Sequence, residues 1–247
     1  MNTSIKPATN PTEDPTKVPK SAGRVRVNQG LLSILEKKAI HWLAERLPEW
    51  TLPDHLTILG LIASVTIAIA YLLTAKSLHW IWLVNAGLIV HWFADSLDGT
   101  LARVRRIERK KHGFFVDHFS DAVSVLVIFT GLGFSPLMRM DIALLVIVAY
   151  YAHMILTYLK ALVENVFQIS IGLVGPTEAR LFLFLLNIGI WYFQNPRFTF
   201  YGQSFTIFDL VGLVGGVAAL IAFLVAGELQ RRKLAKIDPL PERYRKK

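Results

Sequence analysis

The sequence predicts an all-α integral membrane protein, with six transmembrane helices and an N-terminal amphipathic helix at the membrane interface. Three observations support this prediction. Apolar residues make up 53% of the 247 residues and charged residues only 18%, whereas about a quarter of an average soluble domain is charged. Six apolar stretches approach the roughly 20 residues that a helix needs to cross a bilayer. Basic residues are concentrated in alternate loops, as the positive-inside rule requires.

The composition divides the chain into four predicted regions. Residues 1–28 are rich in Pro, Thr and Lys and contain no apolar core, so we expect a disordered basic cytoplasmic tail and not a signal peptide. Residues 29–50 place apolar side chains mostly along one helical stripe but carry too many charges to span, which predicts an amphipathic interfacial helix. A six-helix transmembrane catalytic domain then occupies residues 51–230, and a basic cytoplasmic tail occupies residues 231–247.

The six predicted spans also define a topology. The loops after the first, third and fifth spans carry one basic residue each, whereas the loop after the second span and both terminal regions carry many. The positive-inside rule therefore places both termini and the second loop in the cytoplasm. The predicted spans are residues 56–75, 78–95, 115–136, 142–162, 180–193 and 207–226.

Acidic residues gather at the cytoplasmic end of the second and third spans. Asp95 and Asp98 are three residues apart and share a helix face, and Asp117 and Asp121 share a face of the next helix. Because a basic loop joins these helices, all four carboxylates can meet at one depth. Four bare anions cannot share a small site, and oxygen ligands favour a hard divalent cation. Arg103 adds positive charge that suits a phosphate group, so the residues predict a metal-dependent phosphate site.

The pattern D-x2-D-G-x2-A-R, a spacer of nine residues, then G-x3-D-x3-D resembles the signature of the CDP-alcohol phosphotransferase (CDP-alcohol phosphatidyltransferase) family. All eight defining residues are present. The resemblance implies that the four carboxylates bind one or two Mg²⁺ or Mn²⁺ ions and that Asp121 is also the general base for the acceptor hydroxyl. It further implies a CDP-binding part of the motif, formed by Gly99, Ala102, Arg103 and Gly113.

The same resemblance implies a reaction of phospholipid synthesis with release of CMP. The favoured version transfers a phosphatidyl group from CDP-diacylglycerol to a small polar alcohol, because the short chain resembles bacterial phosphatidyltransferases. The enzyme would then lie in the bacterial inner membrane, with its active site in the cytoplasm. The segment GPTE (residues 175–178) instead resembles the choline/ethanolamine branch, in which diacylglycerol accepts a phospho-aminoalcohol. We assign the acceptor or phosphate site to Lys160, Glu178 and Arg180.

Two segments near the acids have open roles. The stretch TLPDHLT (residues 51–57) resembles a TPNxxT segment of the family, with Asp54 in place of Asn. It could contact the cytidine, or it could be a plain helix entry with Pro53 in the first turn. His91 and His118 also lie near the acids, as direct participants or as packing residues.

Other function classes fit less well. A cation transporter would place its acids near the bilayer midplane, whereas these acids cluster at one face. The net charge of +9 suits anionic lipid, and no soluble domain is predicted that could bind nucleic acid. The chain contains no cysteine, which excludes thiol chemistry. The expected partners are therefore the CDP-linked donor, the alcohol acceptor and membrane lipids, and the resemblance is compatible with a homodimer.

Overall fold

A computed structural model describes residues 25–27, 33–164, 166–168, 175–200 and 202–241. Helices dominate these residues. Two short sheets accompany them: β1 (Val25–Val27) pairs in parallel with β2 (Val166–Gln168), and β3 (Arg197–Phe200) forms an antiparallel hairpin with β4 (Gln203–Thr206). The α-helices of the described residues are α1 (Ser33–Arg46), α2 (Pro53–Leu73), α3 (Ile81–Val104), α4 (Lys110–Gly133), α5 (Met140–Glu164), α6 (Pro176–Phe193) and α7 (Ile207–Ile237).

Four of these helices, α2, α4, α5 and α7, are long and apolar enough to cross a membrane. Their length and composition support the prediction of an integral membrane protein. The second and fifth predicted spans correspond to α3 and α6, which are not among these four helices. Predicted site residues lie in both of them, Asp95 and Asp98 in α3 and Glu178 and Arg180 in α6.

The ends of α3 and α7 and the start of α4 differ most from their predicted positions. The helix α3 continues to Val104 and α4 begins at Lys110, so the acidic motif is helical except for a short connection. The helix α7 continues to Ile237, which places the start of the predicted C-terminal tail inside a helix. Ion pairs of Glu228 with Arg231 and Arg232, both at 2.7 Å, support this extension because they lie one turn apart along the helix.

A helix, α1, lies within the region predicted to form the N-terminal amphipathic helix, and it packs against protein. In α1, Ile40 and Ala44 are buried in a cluster with Leu56, Leu97 and Leu101. The predicted disordered tail lies outside the described residues, apart from β1. The packing of α1 on α3 fixes the N-terminal region beside the acidic end of the bundle.

The helix α2 is central to the arrangement, since it packs against both α3 and α4. A Cβ atom built on Gly131 of α4 would lie 2.6 Å from the Cα atom of Ala68, so α2 and α4 cross closely there. Ser64 of α2 and Ser124 of α4 are hydrogen-bonded at 2.9 Å. Both acidic helices are therefore positioned by α2.

Candidate active site

The four carboxylates approach one another at one end of α3 and α4. Asp98 is 9% exposed, and the charges of Asp95 and Asp117 act on it. Asp121 experiences the charges of the other three carboxylates. The convergence expected from the spacing is therefore present. A small cavity of about 10 Å³ lies between the helices and is lined by Thr57, Gly60, Leu61, His91, Asp95, Asp98, Ser120, Asp121 and Ser124.

Asp98 is held by hydrogen bonds to both of its oxygens. The hydroxyl of Thr57 on α2 donates to Oδ2 at 2.9 Å, and the backbone N–H of Gly99 donates to Oδ1 at 2.5 Å. A buried carboxylate with both oxygens bonded has a defined orientation. The helix α2 therefore contributes directly to the site.

Arg180 connects the two acidic helices to α6. Its Nη2 atom lies 2.7 Å from Oδ2 of Asp95 and 3.8 Å from Oδ1 of Asp121. The Arg180 side chain is 15% exposed, so this ion pair is largely shielded from water. The start of α6 is fixed by a side-chain cap, in which Oε2 of Glu178 accepts a hydrogen bond from the Gly175 N–H at 3.0 Å.

The donor atoms of the site fit a divalent cation. One ligand atom from each of Asp117, His118 and Asp121 lies within 4.8 Å of the others, which is close enough for a shared ion. Carboxylate oxygens suit Mg²⁺ and Mn²⁺, and the imidazole is a ligand more typical of transition metals. His118 Nδ1 lies 3.1 Å from Oδ2 of Asp117, so the imidazole belongs to the acidic cluster.

The comparisons with known proteins decide the family. Residues 50–227 match the CDP-alcohol phosphatidyltransferase family. The chain belongs to this family. Similar proteins include cholinephosphotransferase 1 of Danio rerio, 24% identical over 195 residues (71% of this chain and 48% of that protein). Those of Xenopus laevis (27% over 195 residues, 71% and 46%) and Gallus gallus (24% over 196 residues, 72% and 56%) are also similar. The chain spans about half the length of these curated relatives.

Membership in the CDP-alcohol phosphatidyltransferase family confirms the resemblance seen in the sequence. The matched residues contain all four carboxylates and Arg180. A transferase family agrees with the phosphotransferase prediction and not with the cation transporter. The three relatives are vertebrate proteins, so location in a bacterial inner membrane stays a prediction.

The four residues that the family signature assigns to CDP lie outside the small cavity. Arg103 is exposed, and its Nη2 atom donates to the Thr100 hydroxyl at 2.8 Å. A Cβ atom on Gly99 would meet Nη1 of Arg103 at 3.4 Å, whereas one on Gly113 would meet no atom within 4 Å. Ala102 is partly buried on the same turn of α3 as Gly99. The structure therefore leaves open space at Gly113.

The three residues predicted for the acceptor site are distributed differently. Arg180 joins the carboxylates, Glu178 caps α6, and Lys160 is partly buried near Glu164, on which its charge acts. The contacts described for Lys160 and Glu178 do not join them to Arg180. Of the trio, Arg180 has a direct contact with the acidic cluster.

Two tyrosines of α5, which lie outside the sequence motif, interact with residues of the candidate site. The Tyr158 ring is stacked with the His118 ring, with centroids 5.8 Å apart and planes at 25°. The charges of Asp121, Arg180 and Asp95 act on the Tyr150 hydroxyl. In the sequence, Tyr150 and Tyr158 are eight residues apart, and this spacing places both near one face of a helix. It is the sequence feature that relates the two tyrosines to each other.

Two arginines of the α3–α4 connection fasten the entry to α2. Arg109 forms an ion pair with Asp54, the residue that replaces Asn in the TPNxxT-like segment. Arg105 donates hydrogen bonds to the carbonyls of Leu47, Pro48, Glu49 and Thr51. Pro53 is the first residue of α2, as in the helix-entry interpretation. These contacts hold the connection between α1 and α2 against the end of α3.

Proposed function

We propose that this protein is a divalent-metal-dependent CDP-alcohol phosphotransferase. The observation that carries the proposal is the meeting of Asp95, Asp98, Asp117 and Asp121 at one end of the bundle, in a chain that belongs to this family. The enzyme would transfer a phosphorus-bearing group from a CDP-linked donor to an alcohol and release CMP. The shielded charges support an ion site, and the cavity of about 10 Å³ has the size of a single water molecule or small ion.

The four carboxylates are the proposed ligands of the cation. Asp117 and Asp121 have ligand atoms within 4.8 Å of each other and of His118, which supports their part in this set. When bound, a divalent cation neutralises the pyrophosphate charge and stabilises the departing CMP. Thr57 and the Gly99 N–H orient Asp98 for this task. Gly99, Ala102, Arg103 and Gly113 would form the CDP side of the site, which the open space at Gly113 and the exposure of Arg103 support.

Asp121 is the proposed general base. Its carboxylate would take the proton of the acceptor hydroxyl while that oxygen attacks the phosphorus carrying the transferred group. The bond from this phosphorus to the CMP oxygen breaks, and CMP leaves with the bonding electrons. Arg180, at 3.8 Å from Asp121, supplies positive charge beside the reacting phosphate.

The donor and acceptor follow one of two versions. The similarity to three cholinephosphotransferases and the GPTE segment favour transfer of a phospho-aminoalcohol to diacylglycerol. The other version, predicted from the sequence, transfers a phosphatidyl group from CDP-diacylglycerol to a small polar alcohol. Lys160, Glu178 and Arg180 would lie on the acceptor or phosphate side in either version.

For the topology we propose six spans, with α3 and α6 completing the bundle. The site and both termini would face the cytoplasm, and α1 would lie at the interface. The exposed Trp42 ring, which carries the Arg46 guanidinium 3.9 Å from its centroid, supports an interfacial position because Trp and Arg favour that zone. The homodimer and the bacterial inner membrane stay predictions.

Purified protein in lipid nanodiscs with Mg²⁺ or Mn²⁺ tests the activity. CMP release would be measured with CDP-choline or CDP-ethanolamine plus diacylglycerol, and separately with CDP-diacylglycerol plus a panel of polar alcohols. We expect CMP release with one class of pair and none after chelation of the metal. The absence of CMP with every pair at adequate metal would refute the proposed activity.

A further inference from the structure

Arg180 is the cation that lies among the four carboxylates in this structure. Its Nη2 atom contacts Asp95 at 2.7 Å and approaches Asp121 at 3.8 Å, and both acids also line the small cavity. The guanidinium therefore compensates part of a concentrated negative charge.

This position has an electrostatic consequence. Carboxylates grouped in a shielded site repel one another, and a positive charge must reduce that repulsion. A guanidinium is permanently charged, so Arg180 can supply this compensation at any physiological pH. A divalent cation bound to the same carboxylates would also compensate their negative charge. If the cation is held by all four carboxylates, the guanidinium and the metal ion would compete for Asp95 and Asp121.

We propose that Arg180 is an internal counter-ion of the acidic cluster, which stabilises the metal-free protein and is displaced from Asp95 when the divalent cation binds. The competition weakens metal binding in the absence of substrate. Displacement also frees the guanidinium, beside the site, for a phosphate group of the substrate. The inference rests on the proposed function in assigning the cation to the four carboxylates. Its test needs no nucleotide or lipid substrate, so its failure and the failure of the proposed reaction are distinguishable.

The central experiment measures Mn²⁺ affinity by electron paramagnetic resonance without substrate. The variants are Arg180→Gln, which removes the charge, and Arg180→Lys, which keeps it. We expect Arg180→Gln to bind Mn²⁺ about tenfold more tightly than the wild type, because a nearby charge shifts ion binding by about that factor or more. We expect Arg180→Lys to stay within about threefold. Arg139→Gln is the matched control, since Arg139 pairs with Asp141, at 2.7 Å, outside the acidic cluster.

The rise in Tm on addition of Mn²⁺ gives a second readout. Loss of a merely structural arginine would lower the Tm but would not enlarge this rise. Metal-free Arg180→Gln should melt below the wild type, and saturating Mn²⁺ should raise its Tm by more than it raises that of the wild type. Mn²⁺ affinity in Arg180→Gln equal to or weaker than in the wild type would overturn the proposal, since Arg180 would then support the metal ligands.

Arginine labelling tests the displacement in the wild-type protein, independently of whether Arg180→Gln folds. Phenylglyoxal modification of Arg180, followed by mass spectrometry, should accelerate on addition of Mn²⁺ because the guanidinium leaves Asp95. Modification of Arg139 is the internal control and should not change. Arg180 modification that is unchanged or slowed by Mn²⁺ would contradict the proposal.

Discussion

At the scale of single residues, the site depends on how its carboxylates are held. Asp98 is bonded through both oxygens, whereas Asp95 and Asp121 contact the guanidinium of Arg180. Asp117 is paired with the His118 ring. The sequence spacing predicts that these acids share one end of two helices, and the contacts then give each acid a different environment.

Replacement of Asp121 by Asn tests its role as the general base. The amide cannot accept the proton of the acceptor hydroxyl, so CMP release should fall by about 10²–10⁴-fold while the protein stays folded. The measurement is CMP release in nanodiscs, with circular dichroism to confirm folding. Asp141→Asn is the control, since Asp141 pairs with Arg139 in the first turn of α5. Near-normal rates in Asp121→Asn would remove it from the base role.

Replacement of Thr57 by Val tests the support of Asp98. The change removes the hydroxyl that donates to Oδ2 at 2.9 Å and keeps the side-chain shape. We expect about tenfold weaker Mn²⁺ binding, because the loss of an outer hydrogen bond to a metal ligand typically costs about 10–100-fold. Thr66→Val is the control: its hydroxyl donates to the Ile62 carbonyl of its own helix, at 2.9 Å. Equal losses in both variants would mean that Thr57 has no specific role.

At the scale of elements, α2 determines where the acidic helices lie. It packs against both α3 and α4, and it contributes Thr57 and Gly60 to the cavity. The hydrophobic periodicity predicts each helix separately. The identity of the central helix depends on close contacts such as Gly131 against Ala68, which no single apolar stretch displays.

Replacement of Gly131 by Ala tests that crossing. The new Cβ atom would lie 2.6 Å from the Ala68 Cα atom, so the two helices must separate. We expect a loss of about 1–3 kcal/mol in the free energy of unfolding, the usual cost of overpacking a core, visible as a lower Tm in detergent. Gly215→Ala is the control, since a Cβ atom there meets nothing within 4 Å. A Tm for Gly131→Ala at or above that of Gly215→Ala would contradict the close crossing.

At the scale of the whole molecule, the question is how the helices cross the membrane. Four helices have the length and apolarity of spans, and two more, α3 and α6, contribute Asp95, Asp98 and Arg180 to the candidate site. With six spans, the α3–α4 connection and the C-terminal end of α7 lie on one side, and the β3–β4 hairpin lies on the other.

Cysteine labelling tests this topology, because the natural chain contains no cysteine. Three exposed positions are suitable: Glu108 in the α3–α4 connection, Thr199 in the hairpin and Lys236 near the end of α7. In intact cells, an impermeant maleimide should label Thr199→Cys and should label Glu108→Cys and Lys236→Cys only after lysis. Labelling of Glu108→Cys and Thr199→Cys from the same side would refute the six-span arrangement.

The sequence by itself determined the membrane class, the helix positions, the family and the set of four acids. These follow from local properties: apolar length, helical periodicity and the spacing of the acidic motif. The tertiary structure decided the partners of those acids. Arg180 and Thr57 come from helices remote in sequence from the residues they contact, and local spacing says nothing about which helices cross. The four acids were therefore readable from the chain, whereas the contacts of Arg180 and Thr57 with them required the packed bundle.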